Sequence, residues 1–108
     1  MTFEIRFSIP AKNDLLQIHD YYLVQVSDSF AVELIDNLQR AVNSLADNPE
    51  RGSFPRELLS TQAPSYRQLI VQPFRIVYQI KAQIIYIHAV LDQRRNVRAI
   101  LQRRLFNQ

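Results

Sequence analysis

Between Tyr66 and Arg95 three apolar, β-branched and aromatic runs follow one another, each punctuated by arginine. The only breaks are Gln72-Pro73 and Lys81-Ala82-Gln83. Connections that short join antiparallel neighbours, so the pattern is that of a compact meander, with strands expected at about 66–71, 74–80 and 84–91. In the third run Ile85, Ile87, Ala89 and Leu91 alternate with Ile84, Tyr86, His88 and Val90. Both sets are largely apolar, which places this strand at the centre of a sheet.

The rest of the chain must cover that sheet. Residues 3–9 alternate, with Phe3, Ile5, Phe7 and Ile9 on one side and Glu4, Arg6 and Ser8 on the other, as in a half-buried strand. Pro10 closes it and suits a helix start. From Ala11 the period lengthens: Ala11, Leu15, Ile18, Tyr22 and Val26 recur every three or four residues. Ser27-Asp28-Ser29 forms a turn and supplies the cap of a second helix. Phe30, Leu34, Leu38, Ala41, Val42 and Leu45 mark that helix to about Ala46. So short a connection makes the two helices an antiparallel hairpin. Residues 47–65 hold three prolines and the one glycine, Gly52, and read as a loop in which Arg56-Glu57-Leu58-Leu59 forms a turn or a very short strand. Residues 97–106 are helical in pattern, with Val97, Ile100, Leu101 and Leu105 on one side. The order indicates an α+β fold: an N-terminal strand, an antiparallel helical hairpin, a three-strand antiparallel meander completing one sheet, and a short C-terminal helix. At 108 residues the whole chain is expected to be a single domain.

Charge is divided between the two halves. Residues 1–50 hold three basic residues against eight acids, a net −5; residues 51–108 hold ten basic residues against Glu57 and Asp92, a net +8. Together they give the overall +3. All the basic residues but Lys12 and Lys81 are arginine, whose planar fork fits phosphate and carboxylate. A basic, arginine-rich sheet is therefore expected to hold an acidic partner, with a merely solvated face as the plainer alternative.

Several chemistries are excluded or disfavoured. Without cysteine there is no disulfide, thiolate site or cysteine nucleophile, which fits a reducing cytoplasm. One glycine precludes a glycine-rich phosphate loop. No metal-ligand spacing occurs, and no cofactor is expected. No secretory leader and no membrane-spanning run stand out. No recognition-helix motif appears, so sequence-specific DNA binding by this chain alone is not expected.

Several short motifs, in this order and spacing, resemble the RelE/ParE superfamily of bacterial toxins. They are Asp14-Leu15-x-x-Ile18-x-x-Tyr21, Leu45-x-x-Asn48-Pro49-x-x-Gly52 and Tyr66-Arg67-x-Leu69, followed by Phe74-Arg75-Ile76-Val77-Tyr78 and Ala89-Val90-Leu91-x-x-Arg94-Arg95. The resemblance spans roughly residues 3–97, and the long hairpin is more similar to the ParE branch. It implies the toxin of a type II toxin–antitoxin pair, silenced by a cognate antitoxin protein. ParE-like members poison DNA gyrase by binding; RelE-like members cleave mRNA on the ribosome. A degenerate, non-toxic binding module is a third possibility.

The nuclease alternative needs a base, a proton donor for the leaving oxygen, and cations for the phosphate. Arg67, Arg75, Arg94 and Arg95 are the candidate phosphate cations, and Glu57 or Asp92 the candidate base. Each acid has a plainer reading as an ion pair, Glu57 with Arg75 and Asp92 with Arg94 or Arg95. His19 and His88 read as structural. Relatives that act on the ribosome commonly place a tyrosine, histidine or lysine near the C-terminus, where this chain has Asp92 and then Arg98-Ala99-Ile100. That departure leans away from an enzyme and towards a surface of Arg67, Arg75, Arg94, Arg95 and Arg98 that binds a protein.

Overall fold

The computed structural model describes residues 2–58 and 66–106. It contains β1 (Glu4–Phe7), α1 (Ile9–Gln25), α2 (Asp28–Asn43), β2 (Tyr66–Val71), β3 (Phe74–Lys81), β4 (Ile84–Asp92) and α3 (Val97–Leu105). The strands form one sheet in the order β1-β4-β3-β2. β2, β3 and β4 are antiparallel, and β1 lies parallel to β4. The expected α+β architecture is the one observed, with β4 at the centre between β1 and β3.

Helix ends follow local chemistry. The Ser8 hydroxyl accepts from the Ala11 amide at 3.1 Å and Pro10 sits in the first turn, so α1 starts at Ile9 rather than after a strand reaching residue 9. Ile9 is accordingly 74% exposed, not core. The Ser27 hydroxyl caps α2 in the same way, accepting from the Phe30 amide. α2 ends at Asn43, and Ser44–Ala46 tighten into a 3₁₀ turn instead of continuing it. Val26 and Phe30, expected in the apolar stripes, are exposed at the hairpin tip. Two further 3₁₀ turns, Pro49–Arg51 and Arg56–Leu58, occupy the described part of the 47–65 loop; Leu59 and residues 60–65 lie outside the described residues.

α1 and α2 cover one face of the sheet and α3 the other. The first layer buries Ala11, Leu38, Val42 and Leu45 against Phe74, Ile76, Tyr78, Ile85, Ile87 and Val90. The second buries Val97, Ile100 and Leu101 against Val77, Ala89 and Leu91, with Leu58. Simple alternation along β4 is broken here. Val77 pairs with Ala89 but Tyr78 with Ile87, which leaves His88 as the extra residue of a β-bulge. Past the bulge the faces exchange: Ala89 and Leu91 turn to α3, and Val90 joins Ile85 and Ile87 under the hairpin.

Candidate functional site

Each arginine inherits its direction from strand register. Arg67 on β2 lies opposite Tyr78, on the hairpin side. Its Nη1 donates to the Gly52 carbonyl at 2.8 Å and the Glu50 carbonyl at 3.3 Å, and its guanidinium carbon sits 4.6 Å from the Phe54 ring centroid. Arg67 therefore staples the loop to the sheet. Tyr78 finishes that junction: its hydroxyl donates to the Pro49 carbonyl at 2.8 Å and accepts from the Gly52 amide at 2.9 Å. The approach explains the glycine, because a Cβ on residue 52 would stand 2.4 Å from the Gln68 carbonyl oxygen.

Arg75, flanked on β3 by the hairpin-facing Phe74 and Ile76, projects to the α3 side. Its Nη1 donates to Glu57 Oε1 at 2.6 Å, with both side chains largely buried. Burial pushes the Glu57 carboxyl up, but its backbone hydrogen bond, Arg75 and the more distant Arg98 outweigh that and hold it below 4.5. Arg75 Nε is buried without a hydrogen-bond partner. A recess of about 290 Å³ opens beside this pair, lined by Arg56, Glu57, Arg75, Arg95, Asn96 and Arg98 among others.

Asp92 ends β4 and accepts from the Arg94 backbone amide at 2.8 Å and from Arg94 Nε at 2.9 Å. The Arg94 side-chain hydrogen bond is the main reason its carboxyl lies below 3.8. A second recess, about 450 Å³, adjoins it between α1 and the sheet. Ile18, Tyr21, Tyr22 and Phe74 line it together with Arg94 and Arg95.

The expected cations are thus divided. Arg75, Arg95, Arg98 and Glu57 share the first recess, Asp92 and Arg94 line the second, and Arg95 reaches both. Arg67 lines neither and lies on the opposite face from Arg75. The histidines line neither recess. His19 Nδ1 is 3.2 Å from Asp20 Oδ1. His88 packs edge-on against Tyr66, with Nε2 3.3 Å from Gln79 Oε1; burial, and secondarily Lys81, pushes it below 6.5.

Two residues that matter most to the geometry carry no role in the sequence reading. Arg104 Nη1 and Nη2 donate to Asp14 Oδ2 and Oδ1 at 2.6 and 2.7 Å. Asp14 Oδ2 also accepts from the Val90 amide at 2.9 Å, and Arg104 Nη1 donates to the His88 carbonyl at 3.3 Å. Together they close the edge of β4 beyond the end of β1 and tie α1 to α3. A signal existed for Asp14: with Ala11 and Ile18 it falls at spacings of three and four, a carboxylate inside the buried stripe. Arg56 is likewise added to the first recess by the fold alone.

Among the described residues no group of His, Asp or Glu side chains is placed to hold a metal ion, and no helix is long and apolar enough to cross a membrane.

Residues 5–97 match the family described as "ParE toxin of type II toxin-antitoxin system, parDE". Two solved structures share the fold. One, from the chromosomal ParDE TA system of P. aeruginosa, is 20% identical over 84% of this chain and 96% of its own, with a TM-score of 0.70. The other, from the RelBE2 toxin–antitoxin complex of Mycobacterium tuberculosis, is 16% identical over 85% and 99%, with a TM-score of 0.63. At these identities the likeness is one of fold. No curated protein matches the chain.

Proposed function

Because this chain belongs to the ParE toxin family of type II toxin–antitoxin systems, we propose that it arrests bacterial growth by binding and inhibiting DNA gyrase in the cytoplasm, working as a single domain. The observation that supports binding over RNA cleavage is the separation of Arg67 from Arg75 by the sheet. A scissile phosphate needs its cations convergent on one point, and these two face opposite layers. The candidate bases add weight in the same direction. Glu57 and Asp92 are each held ionised by an arginine, which weakens them as proton acceptors.

A cognate antitoxin is the second partner of the proposal, as the ParDE and RelBE2 systems are toxin–antitoxin pairs. An acidic segment suits the surface carrying Arg94, Arg95 and Arg98, all exposed. Its association rate should fall as salt rises; a rate indifferent to salt would remove the electrostatic part of the proposal.

One arrangement favours the nuclease as a second reading: Glu57, Arg75, Arg95 and Arg98 do share a recess. The two readings separate on induced expression without an antitoxin, paired with in vitro translation in which mRNA ends are mapped. Growth arrest with intact mRNA and stabilised gyrase–DNA cleavage complexes is the expected result. New ribosome-dependent mRNA ends that vanish in Arg75→Ala and Arg95→Ala would establish the nuclease instead. Overexpression without arrest would reduce the chain to a non-toxic binding module.

A further inference from the structure

α1 is apolar on two sides. Ala11, Leu15, Ile18 and Tyr22 pack into the core beneath the hairpin. Ile9, Leu16 and Leu23 recur every seven residues along the opposite side and stay 74%, 59% and 40% exposed. A helix apolar all round is normally covered all round, and here only one side is. Apolar residues repeated every seven positions form the seam by which one helix packs on another.

Two polar layers, Lys12-Asn13 and His19-Asp20, separate the three apolar ones. Lys12, Asn13 and Asp20 are exposed, and His19 Nδ1 lies 3.2 Å from Asp20 Oδ1. Lys12 has no ion-pair partner among the described residues. Asp14, also on α1, is buried and bonded to Arg104. The outer face of α1 therefore carries one lysine and one aspartate.

These residues are disposed symmetrically about Leu16. Ile9 and Leu23 stand seven positions to either side of it, Lys12 and Asp20 four, Asn13 and His19 three. Two such helices laid antiparallel across a two-fold axis bring Leu16 onto Leu16 of the second copy and Ile9 level with Leu23. Lys12 then comes level with Asp20 at both ends, within the reach of a lysine side chain. A parallel pair would set lysine beside lysine and aspartate beside aspartate.

We propose that the outer face of α1 is a self-association surface, on which two copies of this chain meet through antiparallel α1 helices centred on Leu16. The seam points away from the sheet, so the arginine-bearing α3 face stays open on both copies. The dimer presents two such surfaces at once, whichever target arrests growth. One seam of three apolar layers buries less than a permanent interface, so the dimer is weak and exchanging. An anionic lipid surface is a poorer occupant, because residues 9–43 hold five acids against Lys12 and Arg40.

The test is sedimentation velocity of the full chain from low micromolar to millimolar concentration, repeated with anionic vesicles. The mass should rise with concentration towards that of a dimer. Leu16→Asp sets two like charges together at the axis and should leave a monomer throughout; the position is exposed, and an unchanged urea midpoint would show the fold intact. Lys12→Glu and Asp20→Lys each oppose like charges at both ends and should weaken association about tenfold. Combined in one chain they restore opposite charges and should return the affinity to near the wild-type value. A monomeric mass at every concentration, a dimer that survives Leu16→Asp, or a double variant no tighter than the single ones overturns the proposal. A monomer that binds the vesicles would give the seam to a membrane surface instead.

Discussion

The two faces of the sheet solve different problems. Under the hairpin, helices of 17 and 16 residues pack on Phe74, Ile76, Tyr78, Ile85, Ile87 and Val90, and the polar groups present are matched. Tyr78 is the example, fully buried with its hydroxyl both donating and accepting. Under α3, a helix of nine residues covers Val77, Ala89 and Leu91. Gln68, opposite Val77, and Arg75 and Gln79, two residues either side of Val77 on β3, share that same face. Gln68 Oε1, Arg75 Nε and Gln79 Nε2 are all buried there without a partner. Native interiors rarely leave such atoms unanswered. The matched polar groups lie under the hairpin, and the buried unmatched ones, two donors and an acceptor, lie on the α3 face.

The largest test of that division is Leu38→Ala on the hairpin face. Leu38 is fully buried, and truncation of such a leucine costs about 3 kcal/mol in transfer and cavity terms. Urea unfolding should show a fall in midpoint with an unchanged slope. A loss well below 1 kcal/mol would mean that the hairpin face is not the stabilising one.

Asp14→Asn comes next. Removing one partner of a fully buried ion pair costs roughly 3–5 kcal/mol. Arg104 remains 22% exposed, so solvent reduces the expected loss to about 2 kcal/mol. Where the loss appears sharpens the comparison. Amide exchange should accelerate in α3 and around His88 before it does in α2. Uniform acceleration would show that the two faces open together and that Asp14–Arg104 does not fasten α3 separately.

Strand positions were plain in the sequence because tight turns bracket three apolar runs, and β2, β3 and β4 lie within a residue of expectation. What the sequence concealed was direction. Alternation carries no mark for an inserted residue, so the bulge at His88 reversed the faces of Ala89, Val90 and Leu91. Arg67 and Arg75 look equivalent as letters, and only the pairing of β2 with β3 reveals that they face opposite layers. Asp14 and Arg104 are 90 residues apart, and their bond exists only once α3 docks. The pairs Glu57–Arg75 and Asp92–Arg94 were within reach because few acids stand in the basic half, so each has a short choice of partners.

Tyr78→Phe probes the matched face at smaller scale. It keeps the ring and removes the hydroxyl, leaving the Pro49 carbonyl and the Gly52 amide without their partner. Stability should fall by about 1–2 kcal/mol. Arg67 would still bond the Gly52 carbonyl, so the loop should stay docked, and amide exchange at Gly52 should rise more than at Gln68. A neutral substitution would show that water replaces the hydroxyl and that the hairpin face is less closed than its burial implies.

The smallest effect is expected from pH, and it should fall on the α3 face. Burial holds His88 below its ordinary 6.5, so the unfolded chain takes up a proton first as pH falls. Stability from neutral His88 is therefore complete above 6.5 and drains away as pH drops from there to the lower folded value. Glu57 titrates later in the same direction: its folded carboxyl lies below 4.5, so its contribution is present above that value and is lost as pH falls beneath it. Urea midpoints measured across both windows should decline in two stages. His88→Gln should flatten the first stage and leave the second. Protons acting on this face loosen α3 before the hairpin, so amide exchange near pH 6.5 should rise around β4 and α3 while α2 holds. A first stage that survives in His88→Gln would move the acid sensitivity off this face and undo the contrast between the two layers.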